Sequence, residues 1–134
     1  DYSPAMITLA RETVGRDAHA GVDVELIQGE FVSYDSPERF DVLVAMGLFD
    51  YVRDPGEMLC KMRGMARHSV VASFPSISVY RTPIRTLRYL LKRCPVYFFT
   101  QRRIAELAMS AGFASCDIHK IPGSGQDYFV TLWP

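Results

Sequence analysis

Residues 40–47 read FDVLVAMG, one acid followed by an unbroken apolar run that closes on a glycine. A strand with one wet face alternates apolar and polar residues, whereas a strand covered on both faces is apolar throughout. The stretch therefore reads as a parallel strand buried on both faces, and its flanks decide what kind of sheet it joins. Downstream, DPGEMLCKMRGMAR (54–67) places Met58, Leu59, Met62 and Met65 on one helical face, with Asp54 as a cap and Pro55 at the first position. HSVVASFP (68–75) is a second short buried strand, ended by proline. TPIRTLRYLLKRC (82–94) repeats the cap-then-proline signature and sets Ile84, Leu87 and Leu91 opposite Arg85, Arg88 and Lys92. Thr100 caps QRRIAELAMSAG (101–112), which stops at Gly112. The remainder, FASCDIHKIPGSGQDYFVTLWP, contains two strand-like stretches around PGSG, a hairpin.

Upstream, DYSPAMITLAR (1–11) starts a helix with Ser3 as cap and Pro4 in the first turn. Met6, Ile7, Leu9, Ala10 and Val14 form its apolar stripe up to Gly15. VDVELIQGEF (22–31) alternates Val22, Val24 and Leu26 and breaks at Gly29, a strand and a turn. Buried strands alternating with helices imply an α/β fold with a parallel sheet, finished by an antiparallel strand pair.

The 134 residues make one domain, and 49% apolar with 22% charged residues is a globular composition. Net charge is zero, but residues 1–60 hold twelve of the fifteen acids, while Lys61 to Arg103 holds ten bases and no acid. That stretch is either a positive surface for an anionic ligand or a solvated face offset elsewhere in the fold. The three cysteines, Cys60, Cys94 and Cys116, are dispersed, which argues for a reducing, cytoplasmic setting and against a disulfide framework or a zinc site. No apolar run approaches the length of a transmembrane segment. No nucleic-acid motif is present, and the basic stretch lacks the interleaved stacking aromatics on a sheet that would suggest RNA.

In open α/β sheets ligands bind beyond the carboxyl ends of the strands. Those ends carry Asp1, then Gly29-Glu30-Phe31, then Met46 to Tyr51, then Phe74-Pro75-Ser76. Acidic, aromatic and glycine-bearing, the set suits a nucleoside: a carboxylate for ribose hydroxyls and an apolar cleft for a purine. It contains no recognisable nucleophile, base and orienting group in series.

Taken in order, these segments resemble the class I S-adenosylmethionine-dependent methyltransferases. DYSPAMITLAR looks like the segment after that family's second strand, and GEF like its short adenine-side turn. FDVLVAMGLFDYVRDPGEML is similar to its fourth strand and following loop, and FFTQRRIAELAMSAGF to its late helix. The resemblance covers essentially the whole chain. It implies S-adenosylmethionine as cofactor and a Rossmann-like sheet ordered 3-2-1-4-5-7-6. It also implies that Asp1 binds the ribose hydroxyls, that Glu30 and Phe31 border the adenine, and that Met46, Gly47 and Leu48 line the methionine side. Asp50, Tyr51, Tyr80 and Arg85 fall on the substrate side, for a small-molecule acceptor. The basic face around Arg85 adds an anionic or lipid-linked acceptor to the candidates, with a solvated amphipathic helix as the other reading.

Two departures stand in the sequence. The family's glycine-rich loop after the first strand has no counterpart, and Asp50-Tyr51 stands where many relatives have Glu or His followed by His. The expectation is a single domain over 1–134, N-terminally truncated: the first strand and most of the second belong to a longer parent chain. On that expectation the segment is inactive alone, and a non-catalytic Rossmann-like binding or interaction domain is the alternative.

Overall fold

In the computed structural model, which describes residues 1–16, 22–77, 95–120 and 127–134, FDVLVA is a strand in a parallel ladder. The elements are α1 (Pro4–Arg16), β1 (Phe40–Ala45), α2 (Gly56–Met65), β2 (Ala66–Phe74), α3 (Gln101–Ser110), β3 (Ser115–Lys120) and β4 (Tyr128–Trp133). They fall into two compact units, 1–36 and 37–134. The helix expected at 84–93, the PGSG turn, Tyr80 and Arg85 lie outside the described residues.

In the first unit, Ser3 caps α1 as its position suggests: the Met6 N–H donates to Ser3 Oγ at 3.4 Å, and the Ile7 N–H to Ser3 O at 3.1 Å. The expected apolar stripe is only partly covered. Ile7 is buried, whereas Met6, Leu9 and Val14 are exposed. Residues 22–28 are not a strand, contrary to their alternating pattern, and Val22, Val24 and Ile27 are exposed. A strand exists only where a neighbour takes its backbone groups, and among the described residues Asp1 is the one seen pairing with this segment. The Asp1 nitrogen donates to Ile27 O at 2.9 Å, and the Gly29 N–H donates to Asp1 O at 3.0 Å. One residue serving two that straddle a third is the repeat of a parallel ladder.

The second unit is built on a mixed sheet of four strands in the order β1-β2-β4-β3. β1 runs parallel to β2, with Val44 beside Val71 and Ala45 beside Ala72. β4 is antiparallel to both β2 and β3. This succession corresponds to 4-5-7-6 in the order that the resemblance implies. Alternation sends Val70, Ala72 and Phe74 of β2 and Val130 and Leu132 of β4 to one buried face. α2 packs on β1 and β2, and α3 on β3. Leu59 and Met62 from α2 and Ile104, Leu107 and Ala108 from α3 are buried, while Met58 and Met65 are only half-buried.

The other face is open. Val42 and Val44 are 49% and 66% exposed, Trp133 is exposed, and Val71, Phe129 and Thr131 are half-buried. β1, expected to be buried on both faces, is therefore mostly exposed, because it lies at the edge of the described sheet and no described helix covers that side.

Helix ends follow their local chemistry. Thr100 Oγ1 accepts the Arg103 N–H at 3.2 Å. At the far end of α3, the Phe113 N–H donates to Ala108 O and the Gly112 N–H to Met109 O, with Gly112 at φ +84°. This is a Schellman stop. α2 ends at Met65 and β2 begins at the next residue, without a connecting loop. Arg39 Nε donates to Gly64 O at 2.9 Å and so satisfies a carbonyl of that last turn. No helix among the described residues is long and apolar enough to cross a membrane.

Candidate functional site

Of the residues singled out in the sequence, those that are described gather at two places, one in each unit. In the first unit, Asp1 sits at the ladder contact with Ile27 and Gly29, one residue before Glu30 and Phe31. Its carboxylate is exposed and oriented: the Ser3 N–H donates to Oδ1 at 2.8 Å, an Asx turn that leads into α1. Glu30 is exposed and Phe31 half-buried, in a turn where the Tyr34 N–H donates to the carbonyls of Glu30 and Phe31. The local fold thus joins an exposed carboxylate to an acidic and aromatic turn.

In the second unit, β1 leaves its ladder after Ala45, and Gly47 turns the chain at φ +70°, which only glycine adopts without strain. A Cβ on Gly47 would meet no atom within 4 Å, so the turn borders open space. Met46 is 54% exposed and Leu48 half-buried. Phe49 is fully buried, its ring stacked on Phe74 at 4.4 Å, and Phe74 meets Phe99 edge-on at 5.3 Å. These rings form a rigid floor beneath the carboxyl ends of β1 and β2. Asp50 is 8% exposed, whereas Tyr51 is half exposed.

Two backbone contacts bind the segment before α3 to the residues that follow β1 and β2. The Tyr97 N–H donates to Asp50 O at 2.9 Å, and the Phe99 N–H donates to Pro75 O at 2.8 Å, with Ser76 and Phe99 in a parallel bridge. Buried Ser76 therefore belongs to the same sheet end as Asp50. The sequence reading missed two features here. One is Phe99 as the bolt, which only long-range pairing reveals. The other is Ser73, whose Oγ accepts the Gly47 N–H at 2.8 Å.

Part of the basic stretch is answered by nearby acids. Arg67 lies 3.4 Å from Asp41, while Arg102 and Arg103 lie 2.9 and 3.9 Å from Glu106. All three arginines are more than half exposed, so the pairs add little stability but do lower the local positive field. Among the described residues no group of His, Cys, Asp and Glu could hold a metal ion.

No protein-family model and no curated protein sequence matches the chain. Solved structures do. A putative O-methyltransferase from Nostoc punctiforme superposes with a TM-score of 0.78 at 15% identity, over 98% of this chain and 42% of that one. Magnesium protoporphyrin IX methyltransferase from Synechocystis, with SAH bound, gives 0.75 at 12% identity, over 100% and 62%. A possible exported protein from Bordetella parapertussis gives 0.76 at 19% identity, over 99% and 51%. The chain thus spans less than two thirds of the length of these structures, and at such identities the likeness concerns the fold alone. The fold is methyltransferase-like.

Proposed function

We propose that this chain is the C-terminal portion of a longer S-adenosylmethionine-dependent methyltransferase acting on a small-molecule acceptor. The observation that carries the reading is the likeness in fold over almost the entire chain, which includes a methyltransferase with SAH bound. The residues present suit part of the cofactor. Asp1 offers an exposed carboxylate with one oxygen already oriented by Ser3, fit to accept two ribose hydroxyls. Glu30 and Phe31 stand beside it to border the adenine, and the open backbone of Met46, Gly47 and Leu48 admits close approach of the methionine side.

When bound, the cofactor supplies an activated sulfonium methyl group for in-line transfer. The protein's task is then to orient the acceptor and exclude water, which accounts for the lack of a catalytic triad. Asp50, Tyr51, Tyr80 and Arg85 are the residues assigned to the acceptor, with anionic or lipid-linked molecules as the class that Arg85 and its basic neighbours favour. The parallel contact at Asp1 and the open apolar edge of β1 support a parent polypeptide that supplies the neighbouring strands and the glycine-rich loop.

The missing glycine-rich loop favours a second reading, a non-catalytic binding or interaction domain on the same fold. Calorimetry with S-adenosylhomocysteine separates the two. The parent polypeptide is expected to bind it, residues 1–134 alone not to, and Asp1→Asn in the parent to weaken binding by roughly 10- to 100-fold, the worth of a hydrogen bond to a charged group. A parent that folds and binds no S-adenosylhomocysteine establishes the second reading.

A further inference from the structure

We propose that Ser73 is the positioning residue for the turn at Met46, Gly47 and Leu48, and through it for the ligand seated against that turn. The inference deepens the methyltransferase reading and rests on it. The β1–β2 ladder ends at Ala45 beside Ala72. Were it continued, β2 backbone carbonyls would take the next N–H groups of β1. At Gly47 the chain instead swings out at φ +70°, and its N–H loses that partner. The Ser73 hydroxyl replaces the carbonyl at 2.8 Å.

The tether falls where it has most to restrain. Glycine has the widest backbone freedom of any residue, and a Cβ there would meet nothing within 4 Å, so no packing holds Gly47 from the open side. Two residues on, Phe49 is locked by its stack on Phe74, and Asp50 O by the Tyr97 N–H. Ser73 and Phe74 are adjacent on β2 and point to opposite faces, so one strand grips the turn from both sides of the sheet. The ring contact is buried in the core, whereas the hydroxyl contact lies on the open face. Removing the hydroxyl therefore loosens the turn while leaving the core intact.

The test pairs amide exchange with ligand binding in wild type, Ser73→Ala and Ser73→Thr. Exchange at the Gly47 amide is expected to accelerate by about two- to tenfold in Ser73→Ala, the range set by the net worth of one hydrogen bond. Amides of Val70 and Ala72 should be unchanged. In the cofactor-binding polypeptide, affinity for S-adenosylhomocysteine should fall by a similar factor in Ser73→Ala and recover in Ser73→Thr, which restores the hydroxyl in a residue suited to strands. Unaltered Gly47 exchange overturns the proposal. So does an accelerated Gly47 with undiminished binding. Should wild type fail to bind S-adenosylhomocysteine at all, the methyltransferase reading falls, whereas the exchange result still decides whether Ser73 holds the turn.

Discussion

Gly112 shows how one residue ends an element and aims the next. At φ +84° it lets the Gly112 and Phe113 N–H groups fold back on Met109 and Ala108, and so turns the chain from α3 toward β3. A Cβ at this position would come 3.3 Å from Arg63 Nε, on a long exposed side chain that can move aside. Backbone strain, not crowding, is therefore what Gly112→Ala would cost, about 1–2 kcal/mol. Chemical denaturation should show that loss. Replacing Arg63 by alanine in the same background should not recover it, whereas recovery would mean that crowding was the cause.

Among the elements, β2 carries the most. It joins β1 to β4, buries Val70, Ala72 and Phe74 on the helix side, and presents Ser73 to the turn on the other. Phe74 is fully buried between Phe49 and Phe99, so its ring fixes both the residues after β1 and the segment that returns at 97–99. Phe74→Ala should cost about 3–5 kcal/mol. Phe74→Leu, which keeps most of the volume but no ring, should cost clearly less. Urea unfolding of the two variants measures this, and equal losses would show that the stacked ring, rather than filled space, is what counts.

For the whole molecule, the telling feature is a strand with an interior sequence at an edge position. β1 has apolar residues on both faces, yet Val44 is 66% exposed. In residues 1–134 taken alone, Val44→Lys should shift stability by no more than about 0.5 kcal/mol, as is usual for an exposed site. In the proposed parent polypeptide, where the neighbouring strand and its helix cover that face, the same substitution buries a charge and should destabilise by several kcal/mol. Thermal unfolding of the variant in both polypeptides tests this, and a small effect in both would remove the proposed cover.

Much of this was legible along the chain. Capping at Ser3 and Thr100, the stop at Gly112, and β1 and β2 follow from contacts within a few residues or from short apolar runs. Candidates could also be named: the turns at 30–31 and 46–51 because each follows an apolar stretch in chain order, and Asp1 through the family resemblance. Other features depend on residues far apart. The pattern at 22–28 promised a strand, but among the described residues its backbone groups pair with Asp1 and no neighbouring strand. The apolar pattern of β1 promised burial, but exposure depends on which strands and helices arrive beside it. The bolts from Phe99 to Pro75 and from Ser73 to Gly47 join residues more than twenty positions apart and leave no periodic trace. Local chemistry determined the elements and their ends, because caps, turns and periodicity act within a turn of helix or a few strand residues. Tertiary structure alone decided the cover of β1 and the anchoring of the site, because these depend on which distant surfaces meet.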